Sequence, residues 1–209
     1  MSRYALTERQ ALADLMLTLG PDAPTLNEGW TTRDLAAHLV VRERRPDAAG
    51  GILLPPLRGY AERVRLRLAA RPWADLVAQV RRPPVWSPLS NPLTDELVNT
   101  MEFFIHHEDV RRAAPDWQPR ELPAGLPAAL WRRVAPLGRF ALRRFPASLL
   151  VQAPGHGEFR CGRGGEALRV VGVPGELTLF LSGRQRAARV QLDGPAALAE
   201  RLRTAPLAL

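Results

Sequence analysis

The sequence predicts an α+β protein, with a helical region over residues 1–146 and a small α+β unit over residues 147–209. Three observations predict it. Apolar residues recur at helical spacing through the first two-thirds of the chain. From Ala147 the pattern changes to short β-prone runs split by glycine turns. At 209 residues and 46% hydrophobic, the chain can bury a sizeable core and does not have the composition of a disordered segment.

The first helix runs from Thr7 to Leu19, with Leu12, Leu15, Met16 and Leu19 on one face, and Gly20, Pro21 and Asp22 end it. The second opens at Thr31, with Asp34 three residues on. That spacing predicts a capping box and gives Asp34 a structural role. One face of this helix carries Leu35, His38, Leu39 and Arg42, and Pro46 lies near its end. Gly50, Gly51, Pro55 and Pro56 mark a loop. Leu57 to Ala70 is a third helix, and Pro72 starts a short fourth. The proline-rich stretch from Arg81 to Pro92 is irregular. Asp95 to Ala113 is a long helix, Pro115 to Pro127 a connector, and Ala128 to Phe145 a helix interrupted or kinked at Pro136. Strands follow over Ser148–Gln152, Glu158–Cys161 and Leu168–Val171. An apolar helix then covers Gly175–Ser182, a strand Ala187–Leu192 and a last helix Pro195–Arg203.

Charge and cysteine usage exclude several classes. The formal net charge of +8 invites a nucleic-acid reading, but all 29 basic residues are arginine and they are spread along the chain. With 20 prolines and abundant alanine, this bias fits a GC-rich coding sequence better than a phosphate-binding surface. No apolar run reaches the ~20 residues needed to span a membrane. The first residues lack a signal peptide's apolar stretch, so the expected location is cytoplasmic. A single cysteine, Cys161, rules out an internal disulfide, a CxxC pair and cysteine-cluster zinc sites. It falls in a predicted strand with no histidine or helix start nearby, which makes it a half-buried structural thiol.

The chemistry concentrates on two helices. Glu102 and His106 lie four apart in the run EFFIHHED over 102–109, so they share a helix face. His38 on a packed neighbouring helix would complete a set of two nitrogens and one carboxylate. Such a set suits a divalent ion such as zinc, with a coordination position left open. A carboxylate among apolar neighbours needs compensation, and a buried arginine would serve as well as a metal. Asp109, three residues past His106, could orient a ligand imidazole or pair with Arg112 or Arg33. His107 falls off the shared face and reads as a surface residue or one behind the ligands. His156, in the run PGHG, reads as a turn residue.

These segments resemble a known family. The run GWTTRDLAAHL over 29–39 is similar to the hallmark of the mycothiol-dependent maleylpyruvate isomerase family, within the DinB-like helical bundle superfamily. The run EFFIHHED over 102–109 resembles that family's second metal motif. HLVVRERRPD over 38–47 and FFIHHEDVRR over 103–112 resemble recurring blocks of a metal-binding subgroup. The resemblance implies a DinB-like four-helix bundle holding zinc, or another divalent metal such as nickel, on His38, Glu102 and His106. It also implies a sterol-carrier-like C-terminal unit, in which VPGELTLFLSGR over 173–184 matches a helix and a following arginine. Carried over, Arg184 is a catalytic-site arginine. A salt bridge between domains is its other reading.

The implied chemistry is thiol-dependent transferase or isomerase action on a small electrophile, with a low-molecular-weight thiol as cosubstrate. The metal would bind that thiol as thiolate and lower its pKa. The expected partners are therefore a small-molecule substrate and a thiol. A metal-binding sensor or interaction module without turnover, and a metal-dependent hydrolase, remain as alternatives. The sequence leaves the oligomeric state open.

Overall fold

In the first helix, α1 (Tyr4–Leu19), one face buries Ala5, Leu12, Ala13 and Met16. Gly20 ends it at a φ of 83°, a conformation glycine adopts without a Cβ clash, and its amide donates to the Met16 carbonyl. Helix α2 (Thr32–Arg44) begins with the expected capping box. The Thr31 hydroxyl accepts from the Asp34 amide, and the Thr31 amide donates to the Asp34 carboxylate at 3.0 Å. A cap of this kind stabilises a helix by about 1 kcal/mol. These elements belong to a computed structural model that describes residues 3–91 and 94–207.

Where the sequence predicts a loop at Gly50 and Gly51, the chain forms a further helix, α3 (Pro46–Leu53). Proline is preorganised for a first helical turn, so Pro46 starts α3 as well as ending α2. Gly51 serves packing, not a turn. A Cβ there would lie 2.5 Å from the Leu57 carbonyl oxygen and 2.6 Å from the Ala61 Cβ. The glycine lets α3 approach α4 (Arg58–Ala69). Helix α5 (Trp73–Arg81) follows, then a turn-rich segment over 82–91, then α6 (Asp95–Arg111).

Helix α1 packs along α6 and α5, and α2 packs on α3, α4 and α5. Their common core includes Leu12, Met16, Leu35, Leu39, Leu76 and Phe103, each fully buried. A buried ion pair crosses it. The Arg9 guanidinium meets the Glu43 carboxylate two-pronged, at 2.6 Å on each side, and lies 4.0 Å over the Phe103 ring.

The chain's compact units divide between Pro119 and Arg120. The change of pattern at Ala147 marks the start of the sheet, not this division. The reason is α7 (Leu126–Ala141), which packs on the sheet and on the helix that follows it. Helix α7 continues through Pro136 as one element, since a proline removes a single backbone donor.

The second unit holds a four-stranded mixed sheet in the order β2-β1-β3-β4. Strand β1 (Ser148–Ala153) pairs antiparallel with β2 (Gly157–Gly162) and parallel with β3 (Ala167–Val171). Leu149, Val151, Leu168 and Val170 alternate onto the buried face. His156 sits in the β1–β2 turn, as its sequence context predicts. Helix α8 (Pro174–Leu181) packs against α7.

The strand expected over Ala187–Leu192 is shorter and later. Gln185–Ala187 forms a 3₁₀ turn, and β4 covers Gln191–Asp193, antiparallel to β3. The Arg189 amide donates to the Glu176 carboxylate at 2.7 Å, so that part of the backbone is satisfied by a side chain instead of a ladder. Helix α9 (Ala196–Thr204) follows. Among the described residues no helix is long and apolar enough to cross a membrane.

Candidate metal centre

Helices α2 and α6 bring His38, Glu102 and His106 together. One ligand atom from each lies within 4.8 Å of the other two. His106 Nε2 is 3.3 Å from Glu102 Oε1, and His38 Nε2 is 4.0 Å from the same oxygen. The two imidazoles meet edge to face with centroids 5.5 Å apart. Glu102 and His106 converge because four residues make about one helical turn. His38 joins them from its place two turns into α2.

Asp109 lies behind His106. Its Oδ2 is 2.9 Å from His106 Nδ1, and the residue is fully buried. It also accepts from the Asn27 side chain at 3.2 Å. A carboxylate on Nδ1 fixes the tautomer and leaves Nε2 facing the other two donors. Of the pairings open in the sequence, the structure has Asp109 on the imidazole.

His107 departs from its expected role. It is buried on another face of α6, with Nδ1 2.9 Å from the Glu8 carboxylate of α1. Its neighbour in sequence faces the site, and a step of about 100° round the helix takes His107 into the α1–α6 contact.

Arg42 is the site residue that the sequence shows only as part of a helix face. Its Nε is 3.1 Å from Glu102 Oε1, so the compensating arginine that a buried carboxylate needs is present. Its Nη1 donates to Asn99 Oδ1 at 2.6 Å. Asn99 is fully buried and its amide donates to Asp95, to the Leu89 carbonyl and to Glu43. The available signal was the four-residue spacing of His38 and Arg42 on α2, the same spacing that picks out Glu102 and His106.

Burial and neighbouring charge set the protonation states. Burial pushes the His38 imidazole down to about 4, reinforced by the positive charges of His106, Arg42 and Arg65 against the pull of Glu102. For His106, burial works against the charged form. Hydrogen bonds to Asp109 and Glu102 outweigh it and raise the imidazole to about 9. Burial alone would raise the Glu102 carboxyl. The hydrogen bond from His106 and the charges of His106, Arg42 and His38 hold it well below the usual carboxylate range.

A cavity of about 340 Å³ has His38 in its wall. Trp30, Val41 and Ala61 supply apolar surface, and Arg58, Arg65 and Glu62 supply charge. The Trp30 ring packs on His38 at a tilt of 54°, with centroids 5.3 Å apart. Arg65 is tied to Asp34 at 2.5 Å and to Glu62 at 2.6 Å.

Two other candidates belong to the second unit. Arg184 donates through Nη1 to the Ser182 carbonyl at 2.7 Å. Cys161 sits half-buried on β2, and burial pushes its thiol up to about 11 against the opposing charge of Arg139.

No protein-family model matches the chain, and no curated protein matches it. Two crystal structures do resemble it. One is of the mycothiol-dependent maleylpyruvate isomerase, at 19% identity, with 94% of this chain and 98% of that chain covered and a TM-score of 0.50. The other, of a histidine-to-alanine mutant of that isomerase, has the same identity and coverage at a TM-score of 0.49. At this identity, the likeness to the first structure shows the shared α+β fold.

Proposed function

We propose that this chain binds one divalent metal ion, zinc first, through His38, Glu102 and His106, and uses it for thiol-dependent isomerase or transferase chemistry on a small electrophile. The observation that carries the reading is the His106–Asp109 pair. A fully buried carboxylate orients Nε2 of one imidazole toward a second imidazole and a carboxylate, the outer arrangement common around ligating histidines. The donor set also fits the ion. A tetrahedral site with bonds of about 2.1 Å needs ligand atoms roughly 3.4 Å apart. The three ligand atoms already lie within 4.8 Å of one another, and His106 Nε2 is 3.3 Å from Glu102 Oε1.

Bound there, a divalent ion supplies a Lewis-acidic charge that lowers the pKa of a thiol brought to it. The chain's own residues do the rest. Asp109 holds the His106 tautomer, Arg42 holds the Glu102 carboxylate, and Trp30 and Val41 give the neighbouring cavity an apolar wall for a small substrate. In this reading the first unit is a DinB-like bundle and the second is sterol-carrier-like. Arg184 pairs with a substrate or cofactor carboxylate, and the protein works in the cytoplasm.

The test joins metal analysis with thermal shift. Purified protein should hold about one zinc per chain, and His106→Ala should lose it. A low-molecular-weight thiol should raise the melting temperature of the metal-loaded protein alone. Equal metal content in the two proteins would refute the site. A thiol without effect on the loaded form would refute the thiol chemistry and leave a metal-binding module. For Arg184, replacement by lysine should weaken ligand binding and leave stability and metal content nearly unchanged, because lysine keeps the charge but loses the fork.

A further inference from the structure

We propose that Arg42 is a positioning residue that makes the loaded centre cationic, so that it takes a monoanion in preference to a neutral molecule as its exogenous ligand. The inference rests on the metal-site reading above and adds to it a charge selectivity set by one side chain.

Three charged groups touch the candidate ligands directly. Glu102 is itself a ligand, Asp109 holds His106, and Arg42 holds Glu102. Ligating imidazoles are neutral. A divalent ion there meets one negative charge each from Glu102 and Asp109, which together cancel it. Arg42 then leaves the assembly with one positive charge. In a partly buried site, that charge draws a small anion and gives no advantage to a neutral ligand.

The surroundings do not undo this. Arg58, Arg65 and Glu62 line the cavity beside His38, and Arg65 pairs with Glu62 and with Asp34, so two charges of each sign lie there. On the far side of Arg42, Arg9 pairs with both Glu43 and Asp95, and the neutral Asn99 amide stands between those carboxylates and the Arg42 guanidinium. Arg42 also cannot easily swing away. Its Nη1 is tied to Asn99, whose own amide donates to the Leu89 carbonyl and the Ser90 hydroxyl. Its Nε faces Glu102 Oε1, the oxygen that also lies nearest both histidines, so the guanidinium would compete with an ion for that carboxylate. Arg42 therefore weakens metal binding while strengthening anion binding. A merely structural residue would weaken both when removed.

Cobalt(II) loaded into the whole chain gives a visible spectrum that reports on the centre, with azide as the monoanionic probe and imidazole as the neutral one. Arg42→Gln keeps a hydrogen-bonding partner for Asn99 and removes the charge. It should tighten cobalt binding and lower azide affinity by about tenfold, with imidazole affinity unchanged. Arg42→Lys should keep azide affinity near that of the unaltered protein. The inference is overturned if Arg42→Gln leaves the ratio of azide to imidazole affinity unchanged, or if it weakens cobalt, azide and imidazole together. Failure of the metal site itself reads differently: the unaltered chain takes up no cobalt, or His106→Ala takes up as much. That outcome overturns both.

Discussion

Asp109 offers the sharpest single-residue test. It is fully buried and accepts from both Asn27 and His106. Asp109→Asn keeps the size and removes the charge that holds the His106 tautomer. Zinc affinity should fall by about 10- to 100-fold, measured by competition with a chelator, with the helical spectrum intact. Cys161 gives a pH-dependent prediction. With its thiol pushed up to about 11, only about one molecule in a thousand is thiolate at pH 8, so alkylation should be far slower than for a free cysteine and should rise toward pH 11. Folding stability depends on the same thiol. The protonated form is favoured in the folded state, so the contribution is fully present below the ordinary value of 9.0 and is lost as pH rises through about 11. Urea melts at pH 8 and pH 11, compared with Cys161→Ser, would measure it. A pH loss as large in Cys161→Ser would assign the effect to other groups.

Among the elements, α3 is the informative one, because it forms where glycines and prolines suggest a loop. Its existence depends on close contact with α4, which only a residue without a Cβ permits at position 51. Gly51→Ala should push the two helices apart and destabilise the protein by about 1–3 kcal/mol, read from the urea midpoint. The same shift would deform the cavity that Gly51 helps to line. A neutral outcome would mean that the α3–α4 contact has slack. The Thr31 cap of α2 is the opposite case. It is local, visible in the four residues from Thr31 to Asp34, and forms as the spacing predicts.

At the scale of the molecule, Arg9 and Glu43 tie the first unit together. Arg9 lies on α1 and Glu43 on α2, and the pair also engages the Val80 carbonyl of α5, Ser90 and Asp95 of α6. Glu43→Ala leaves a buried guanidinium without its main partner and should cost about 3–5 kcal/mol in chemical denaturation. The sequence by itself determined the α+β class, the helix carrying each candidate ligand and the pairing of Glu102 with His106. These follow from hydrophobic period, capping chemistry and the 3.6-residue turn, all local properties of the chain. Only the tertiary structure decided that Arg42 faces Glu102, that Asp109 reaches the His106 imidazole, that His107 turns inward to Glu8, and that α7 packs with the sheet. Each of these joins groups that local spacing leaves with several partners within reach. The choice falls to packing, which settles which buried charge finds which counter-charge at the lowest desolvation cost.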